Sequence, residues 1–142
     1  MTSSVHDARV GDDLLPFRRS PGLEHWNRYA AVNDEFVPIH MDDEAGRQAG
    51  YASAFGMGNL QYSYLHNLLR LWTGDEGEIL EVSCQFRSAN IKGQIVTAGG
   101  TVTDVATESG RRVVGIDVWT EDQGGVRLCV GHARIAASER PS

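Results

Sequence analysis

The fold is decided by one stretch of the chain, Gly58-Asn59-Leu60-Gln61-Tyr62-Ser63-Tyr64-Leu65-His66-Asn67-Leu68-Leu69-Arg70-Leu71-Trp72. Large apolar side chains recur in it every three or four residues, which is the spacing of one face of an α-helix. The residues of this stripe are Leu60, Tyr64, Leu65, Leu68 and Trp72. The stretch therefore predicts a long helix with one buried face, and Gly74 is expected to end it.

After this helix the apolar period changes to two, which is typical of half-buried strands. Four strands are predicted, at residues 80–87, 96–103, 113–120 and 126–136. In the first of them, the side chains expected to face the core are Leu80, Val82, Cys84 and Phe86. Turns are expected at Glu108-Ser109-Gly110 and at Gln123-Gly124-Gly125. These elements indicate an α+β fold whose antiparallel sheet buries one face on the long helix.

The part before the long helix is expected to be shorter and less regular. Residues 14–19 fit a first strand, and Ser20-Pro21-Gly22 fits the start of a helix that contains Trp26. Asp42-Asp43-Glu44 fits the first turn of a short helix, because acidic side chains there offset the helix dipole, and Gly50 would close it.

Composition favours one ordinary globular domain. The chain has 142 residues and a mass of 15.5 kDa, so a single domain is expected at residues 13–137, with a flexible N-terminus at 1–12 and a loose tail at 138–142. The formal net charge of −6 argues against nucleic-acid binding. No membrane span or secretory signal is recognised, so a cytoplasmic location is expected. Cys84 and Cys129 are expected to be reduced packing residues.

The segment Asn33-Asp34-Glu35-Phe36-Val37-Pro38-Ile39-His40 is the best candidate for a catalytic centre. A carboxylate and an imidazole a few loop residues apart can hold one water molecule and exchange protons with it. Pro38, with its fixed φ, would hold the connecting loop. The same spacing also fits a turn capped by Asp34 or Glu35 and a partly exposed loop histidine.

Four segments in the same order resemble motifs of the MaoC-like (R)-specific enoyl-CoA hydratase and dehydratase family. The segment from Glu35 to His40 is similar to the family's Asp-x-Asn-Pro-x-His, with Glu35 in place of Asp and Val37 in place of Asn. Phe55-Gly56-Met57 is similar to His-Gly-Met, and the segment from Phe86 to Gln94 is similar to Phe-x-x-Pro-x-x-x-Gly-Asp. The fourth segment, from Gly125 to Ala133, is similar to the family's closing Gly-…-Gly-x-Ala strand. The resemblance runs from about residue 16 to residue 137 and implies the hotdog fold, an antiparallel sheet wrapped around a long central helix.

The resemblance implies hydration of a trans-2-enoyl-CoA thioester, or dehydration of the (R)-3-hydroxyacyl-CoA. Glu35 would act as general base with His40 as its partner in proton transfer, and Asp34 is the second candidate for the base. The backbone N–H of Gly56 would stabilise the negative charge on the thioester oxygen. No metal is expected, because Asp42 and Asp43 are adjacent carboxylates that project differently and no HExxH-type spacing supports them. No cofactor is expected, because coenzyme A enters as part of the substrate.

Further residues are expected to contact the substrate. Pro38, Met57 and Gly58 would line its site, and Arg87 and Lys92 are the leading candidates to meet the phosphates of coenzyme A. Arg111 and Arg112 are weaker candidates for the same role. Any of these basic side chains also fits an ordinary solvated position.

Three other functions fit parts of the pattern. A non-catalytic or half-active subunit of a heteromeric dehydratase is favoured by Val37 and by the exchange of the acidic residue. An acyl-CoA-binding module would bind without turnover, and a thioesterase would need a carboxylate that residues 58–72 lack. The resemblance implies a homodimer, or a heterodimer with another MaoC-like chain.

Overall fold

The computed structural model describes residues 3–20, 22, 26, 41–51, 53, 54, 56, 58–91 and 93–139. The helices bounded by these residues are α1 (Asp43–Gln48) and α2 (Gly58–Thr73), and a 3-10 turn follows at Gly74–Glu76. The strands are β1 (Phe17–Arg19), β2 (Gly77–Phe86), β3 (Val96–Glu108), β4 (Arg111–Glu121) and β5 (Arg127–Ala137). The long helix and the four long strands confirm the elements predicted from the two periods.

The five strands form one antiparallel sheet in the order β1-β3-β4-β5-β2, and α2 packs on one of its faces. The core lies between them, where Leu65 and Leu68 of α2 share a cluster with Ile116 of β4 and Ile135 of β5. Burying such side chains contributes about 1.5–3 kcal/mol each to folding. The predicted α+β fold, a sheet wrapped around a central helix, is therefore confirmed.

Strand β2 departs from the predicted alternation at two positions. Leu80 is 43% exposed and Phe86 is 52% exposed, although both were expected to face the core. A bulge between Ile79 and Glu81 inserts Leu80 as an extra residue, so Ile79 takes the inward position. In the described part of the chain β2 is an edge strand of the sheet, which leaves the end at Phe86 open to solvent.

The N-terminus is not loose over its described residues 3–12, contrary to the expectation for residues 1–12. Val5 and Ala8 lie in the main hydrophobic core, and Gly11 donates its N–H to the carbonyl of Val102 at 2.8 Å. Arg112 donates from its guanidinium to the carbonyls of Val5 and Ala8. Two small apolar residues and one arginine from β4 thus hold a segment whose own composition is polar.

The expected ends of the two helices are present. The Asp42 side chain caps α1 by accepting the N–H of Ala45 at 3.0 Å, and Gly50 and Gly74 follow their helices with φ of 97° and 54°. At the tail, the Ser138 N–H donates to the carbonyl of Glu76 at 2.7 Å. None of the helices among the described residues has the length and hydropathy needed to cross a membrane.

Candidate functional site

The structure describes three of the predicted site residues, Gly56, Gly58 and Arg87. The others lie outside the described residues, so their predicted roles stay predictions. These are Asp34, Glu35, Pro38, His40, Met57 and Lys92. The described part of the site is the entry to the central helix.

Helix α1 fixes the chain that leads to Gly56. The Asp43 carboxylate accepts the N–H of Ala54 at 3.2 Å. Gly46 lies so close to the next segment that a Cβ built on it would fall 1.9 Å from the carbonyl oxygen of Ser53. The acidic pair that opens α1 thus has structural roles, one carboxylate capping the helix and the other anchoring the approach to the site.

Gly56 is enclosed by Trp26 and Asn90. Its N–H donates to the Asn90 carbonyl at 2.6 Å. A Cβ on Gly56 would lie 2.7 Å from Nε1 of Trp26 and 3.0 Å from Oδ1 of Asn90, so no larger residue fits without movement. Trp26 is fully buried, and its indole N–H has no hydrogen-bond acceptor in the described part of the chain.

A side chain from the same loop holds Asn90 in place. The Gln94 side-chain oxygen accepts the N–H of Ile91 at 2.9 Å and the side-chain N–H of Asn90 at 3.1 Å. Asn90 is 1% exposed, so these bonds are shielded from water. Gln94 therefore supports the carbonyl that receives the Gly56 N–H, a contact that local spacing does not reveal.

The hydrogen bond from Gly56 to Asn90 occupies the N–H that is expected to be the oxyanion donor. Because the Gly56 amide already donates to Asn90, its donation to a thioester oxygen stays a prediction that requires this bond to be exchanged or shared. Gly58 begins α2, and the first N–H groups of a helix have no partner within the helix. The start of α2 therefore presents backbone donors and the positive end of the helix dipole immediately after Gly56.

The candidate arginines separate into two groups. Arg87 is exposed and donates to the side-chain oxygen of Gln85 at 3.1 Å, and its own N–H donates to the Leu128 carbonyl at 2.7 Å. It therefore lies at the start of the loop that carries Asn90. Arg111 and Arg112 lie at the beginning of β4, where Arg111 pairs with Glu78 at 3.1 Å and Arg112 holds the N-terminus. These contacts give both side chains structural roles, and their part in binding coenzyme A stays a prediction.

A buried hydrogen bond joins the inner face of the sheet to α2. Thr120 donates its hydroxyl to the side-chain oxygen of Gln61 at 2.7 Å and lies 3.0 Å from the thiol of Cys129. Burial raises the pKa of Cys129, and it also raises the pKa of Cys84, which is only half-buried. Both thiols are therefore kept protonated, as expected of reduced packing residues.

Comparison with solved structures places this fold among hydratases and dehydratases. The (R)-hydratase from A. caviae involved in PHA biosynthesis aligns with 90% of this chain and 96% of its own, with a TM-score of 0.79 and 23% identity. A MaoC-like dehydratase from Rhodospirillum rubrum aligns over 99% of each chain, with a TM-score of 0.84 and 18% identity. A chain of the ChsH1-ChsH2 complex from Mycobacterium tuberculosis aligns with 93% of this chain and 100% of its own, with a TM-score of 0.80 and 16% identity.

The architecture is therefore the hotdog fold of the (R)-hydratases and MaoC-like dehydratases, as the sequence resemblance implied. No sequence-family model and no protein of curated function matches the chain.

Proposed function

We propose that this protein hydrates trans-2-enoyl-CoA thioesters to (R)-3-hydroxyacyl-CoA, or runs the reverse dehydration. One observation carries the proposal: two of the segments that resemble the family meet in space, where the Gly56 N–H donates to the Asn90 carbonyl at 2.6 Å. They meet at the start of the central helix, in a fold shared with (R)-hydratases. A contact between segments so far apart in sequence is expected if both serve one site.

In the proposed reaction, water adds to the β-carbon of the enoyl thioester. Glu35 removes a proton from this water while His40 orients it, and the electron pair of the double bond moves onto the thioester oxygen. The enolate then takes up at its α-carbon the proton that Glu35 removed, passed on by His40, so both groups return to their starting state. Backbone N–H groups at the start of α2, including that of Gly58, stabilise the oxyanion, and each such donor is typically worth about 3 kcal/mol. The roles of Glu35 and His40 rest on motif register.

Turnover is expected to be sensitive to the length of the acidic side chain. Glu35 reaches one methylene further than the family's Asp, and an error of about 1 Å in the position of a reacting group can cost on the order of 100-fold in rate. The Glu35→Asp variant therefore tests directly whether Glu35 occupies the position of the family's Asp. If Glu35→Gln retains turnover and Asp34→Asn abolishes it, Asp34 is the base instead.

The first test is the loss of enoyl-thioester absorbance with crotonyl-CoA and with a longer enoyl-CoA. His40→Ala should abolish turnover, whereas His6→Ala, which changes a histidine in the N-terminal segment, should not. Chiral analysis should find the (R)-3-hydroxyacyl product. A folded wild-type protein without turnover on either substrate would refute a self-sufficient hydratase.

A half-active subunit is the second candidate, and Val37 in place of the family's Asn favours it. The exposed edge of the sheet favours a partner chain of either kind. Strand β2 presents Leu80 and Phe86 to solvent, and exposed apolar edge strands in soluble proteins are usually covered or blocked. A homodimer or a heterodimer with another MaoC-like chain would cover them. Light scattering with size-exclusion chromatography decides between monomer and homodimer, and a homodimer that binds acyl-CoA without turnover would indicate a binding module.

A further inference from the structure

The face of the sheet opposite α2 contains a groove of about 680 Å³, which we call the outer groove. Strand register places its side chains in cross-strand rows. The middle row runs from Gln85 on β2 through Val130 on β5 to Trp119 on β4. In this row Val130 and the Trp119 ring form an apolar platform, and the ring lies over Gly99 on β3.

Arg127 lines the end of the outer groove nearest the candidate site, and Arg87 lies beside that end. The guanidinium of Arg127 stacks over the Trp119 ring at 4.0 Å from its centroid. Its ion pair with Glu121 is 3.6 Å long, well beyond the length of about 2.7–2.9 Å of a charge-assisted hydrogen bond. Arg87 reaches the same end through its bond to Gln85. Both guanidiniums therefore keep donors available for an anion.

The opposite end of the outer groove is a polar row of Ser83, His132 and Asp117. His132 Nδ1 lies 3.0 Å from Oδ1 of Asp117. A carboxylate only accepts hydrogen bonds, so Nδ1 of His132 is the donor in this contact. Successive rows are about 7 Å apart, so the three rows span about 14 Å along the strands.

We propose that the outer groove binds the adenosine diphosphate end of coenzyme A, an inference that rests on the proposed function and names a subsite for its substrate. The diphosphate lies against Arg87 and Arg127, since planar guanidiniums bind phosphate oxygens in pairs. The adenine lies on the platform of Val130 and Trp119. Its amino group donates to the free oxygen of Asp117 in the polar row.

The position of the outer groove suits a substrate that ends at the central helix. The loop after Arg87 is fixed to β5 because the N–H groups of Arg87 and Ser88 both donate to the Leu128 carbonyl. The same loop then supplies the Asn90 carbonyl that receives the Gly56 N–H. A thioester can therefore cross this one loop, with its nucleotide in the outer groove and its acyl end at α2. A volume of about 680 Å³ is within the usual range for small-molecule sites.

The test uses free coenzyme A, so that binding is measured without turnover. Titration calorimetry should show that Arg127→Gln and Arg87→Gln each weaken coenzyme A binding about tenfold, which corresponds to about 1.4 kcal/mol. Arg134→Gln is the matched control, because Arg134 lies on the same strand and face as Arg127 but beyond the outer groove, paired with Glu108. It should change binding less than twofold. Adenosine 3′,5′-bisphosphate should compete with coenzyme A, and pantetheine binding should not respond to Arg127→Gln.

The outcomes separate this inference from the proposed reaction. If coenzyme A binds and depends on Arg127 while no enoyl thioester turns over, the subsite stands and the hydratase proposal fails. If crotonyl-CoA and crotonyl-pantetheine respond equally to Arg127→Gln in KM, the reaction stands and the subsite is refuted. Equal effects of Arg127→Gln and Arg134→Gln, or no binding of coenzyme A by the wild-type protein, would also overturn the inference.

Discussion

Replacing Gly56 with alanine tests the packing around the candidate site. The added Cβ would meet Nε1 of Trp26 at 2.7 Å and Oδ1 of Asn90 at 3.0 Å. Neither neighbour moves freely, because both are buried and the Asn90 side chain is bonded to Gln94. The φ of Gly56 lies outside the left-handed region, so the penalty comes from space alone. Overpacking of this kind costs about 1–3 kcal/mol.

The effect can be measured by urea unfolding and by turnover. Gly22→Ala is the matched control, because a Cβ at Gly22 meets no atom of the described residues within 4 Å. It should change the free energy of unfolding by less than about 0.5 kcal/mol. Under the proposed function, Gly56→Ala should also lower kcat, by on the order of 100-fold if the start of α2 moves by about 1 Å.

A second substitution locates the cause. Phenylalanine lacks the indole N–H, so Trp26→Phe should remove the shortest contact of the new Cβ. In a double-mutant cycle the two changes should couple favourably by about 1 kcal/mol. If Gly56→Ala is as stable as Gly22→Ala, or if the cycle shows no coupling, the close approach of Trp26 to Gly56 is refuted.

Gln94→Leu leaves the Ile91 N–H without an acceptor and should lower the free energy of urea unfolding by about 1–3 kcal/mol. Gln94→Glu keeps the acceptor and should cost less. Equal losses in the two variants would contradict the role of Gln94 as this acceptor. Burial raises the pKa of Tyr64 to about 12, so the unfolded state ionises first as pH rises from 10 to 12. Over that range the free energy of unfolding should fall by up to about 3 kcal/mol more in the wild type than in Tyr64→Phe. Parallel stability curves for the two proteins would rule that out. Gly131→Ala places a Cβ 1.9 Å from the Ser83 carbonyl oxygen, which forces β2 away from β5. The Tm should therefore fall by several degrees. An unchanged Tm would count against the close approach of Gly131 to Ser83.

The sequence predicted the elements whose signals are local and repeated. The stripe of Leu60, Leu65 and Leu68 extends over several turns, so one irregular residue could not change the assignment of α2 as a helix. The same holds for the alternation in β3 and β4, although β3 runs on to Glu108, past the predicted end at residue 103. There the bulge at Thr103 shifts the register, and the alternation read from sequence stops.

Features that depend on distant partners were not predictable. The bulge at Leu80 changes which side chains of β2 face inward, and nothing in the strand's own pattern marks it. Val5 and Ala8 look like isolated small residues in a polar segment, and only the carbonyl contacts of Arg112 show why that segment is packed. The bond from Gly56 to Asn90 joins two segments whose closeness only the folded chain reveals.

Departures from a motif carry different weight, depending on which atom each one changes. Gln94 stands where the family has Asp, yet its side-chain oxygen accepts the two hydrogen bonds that hold the loop, so the local structure does not need a charge there. Glu35 in place of Asp also keeps its functional group and changes only its reach. Val37 in place of Asn is different, because it removes every donor and acceptor of that side chain. Val37 is therefore the departure that argues most strongly for a partner subunit, whereas Gln94 is neutral between the two proposals.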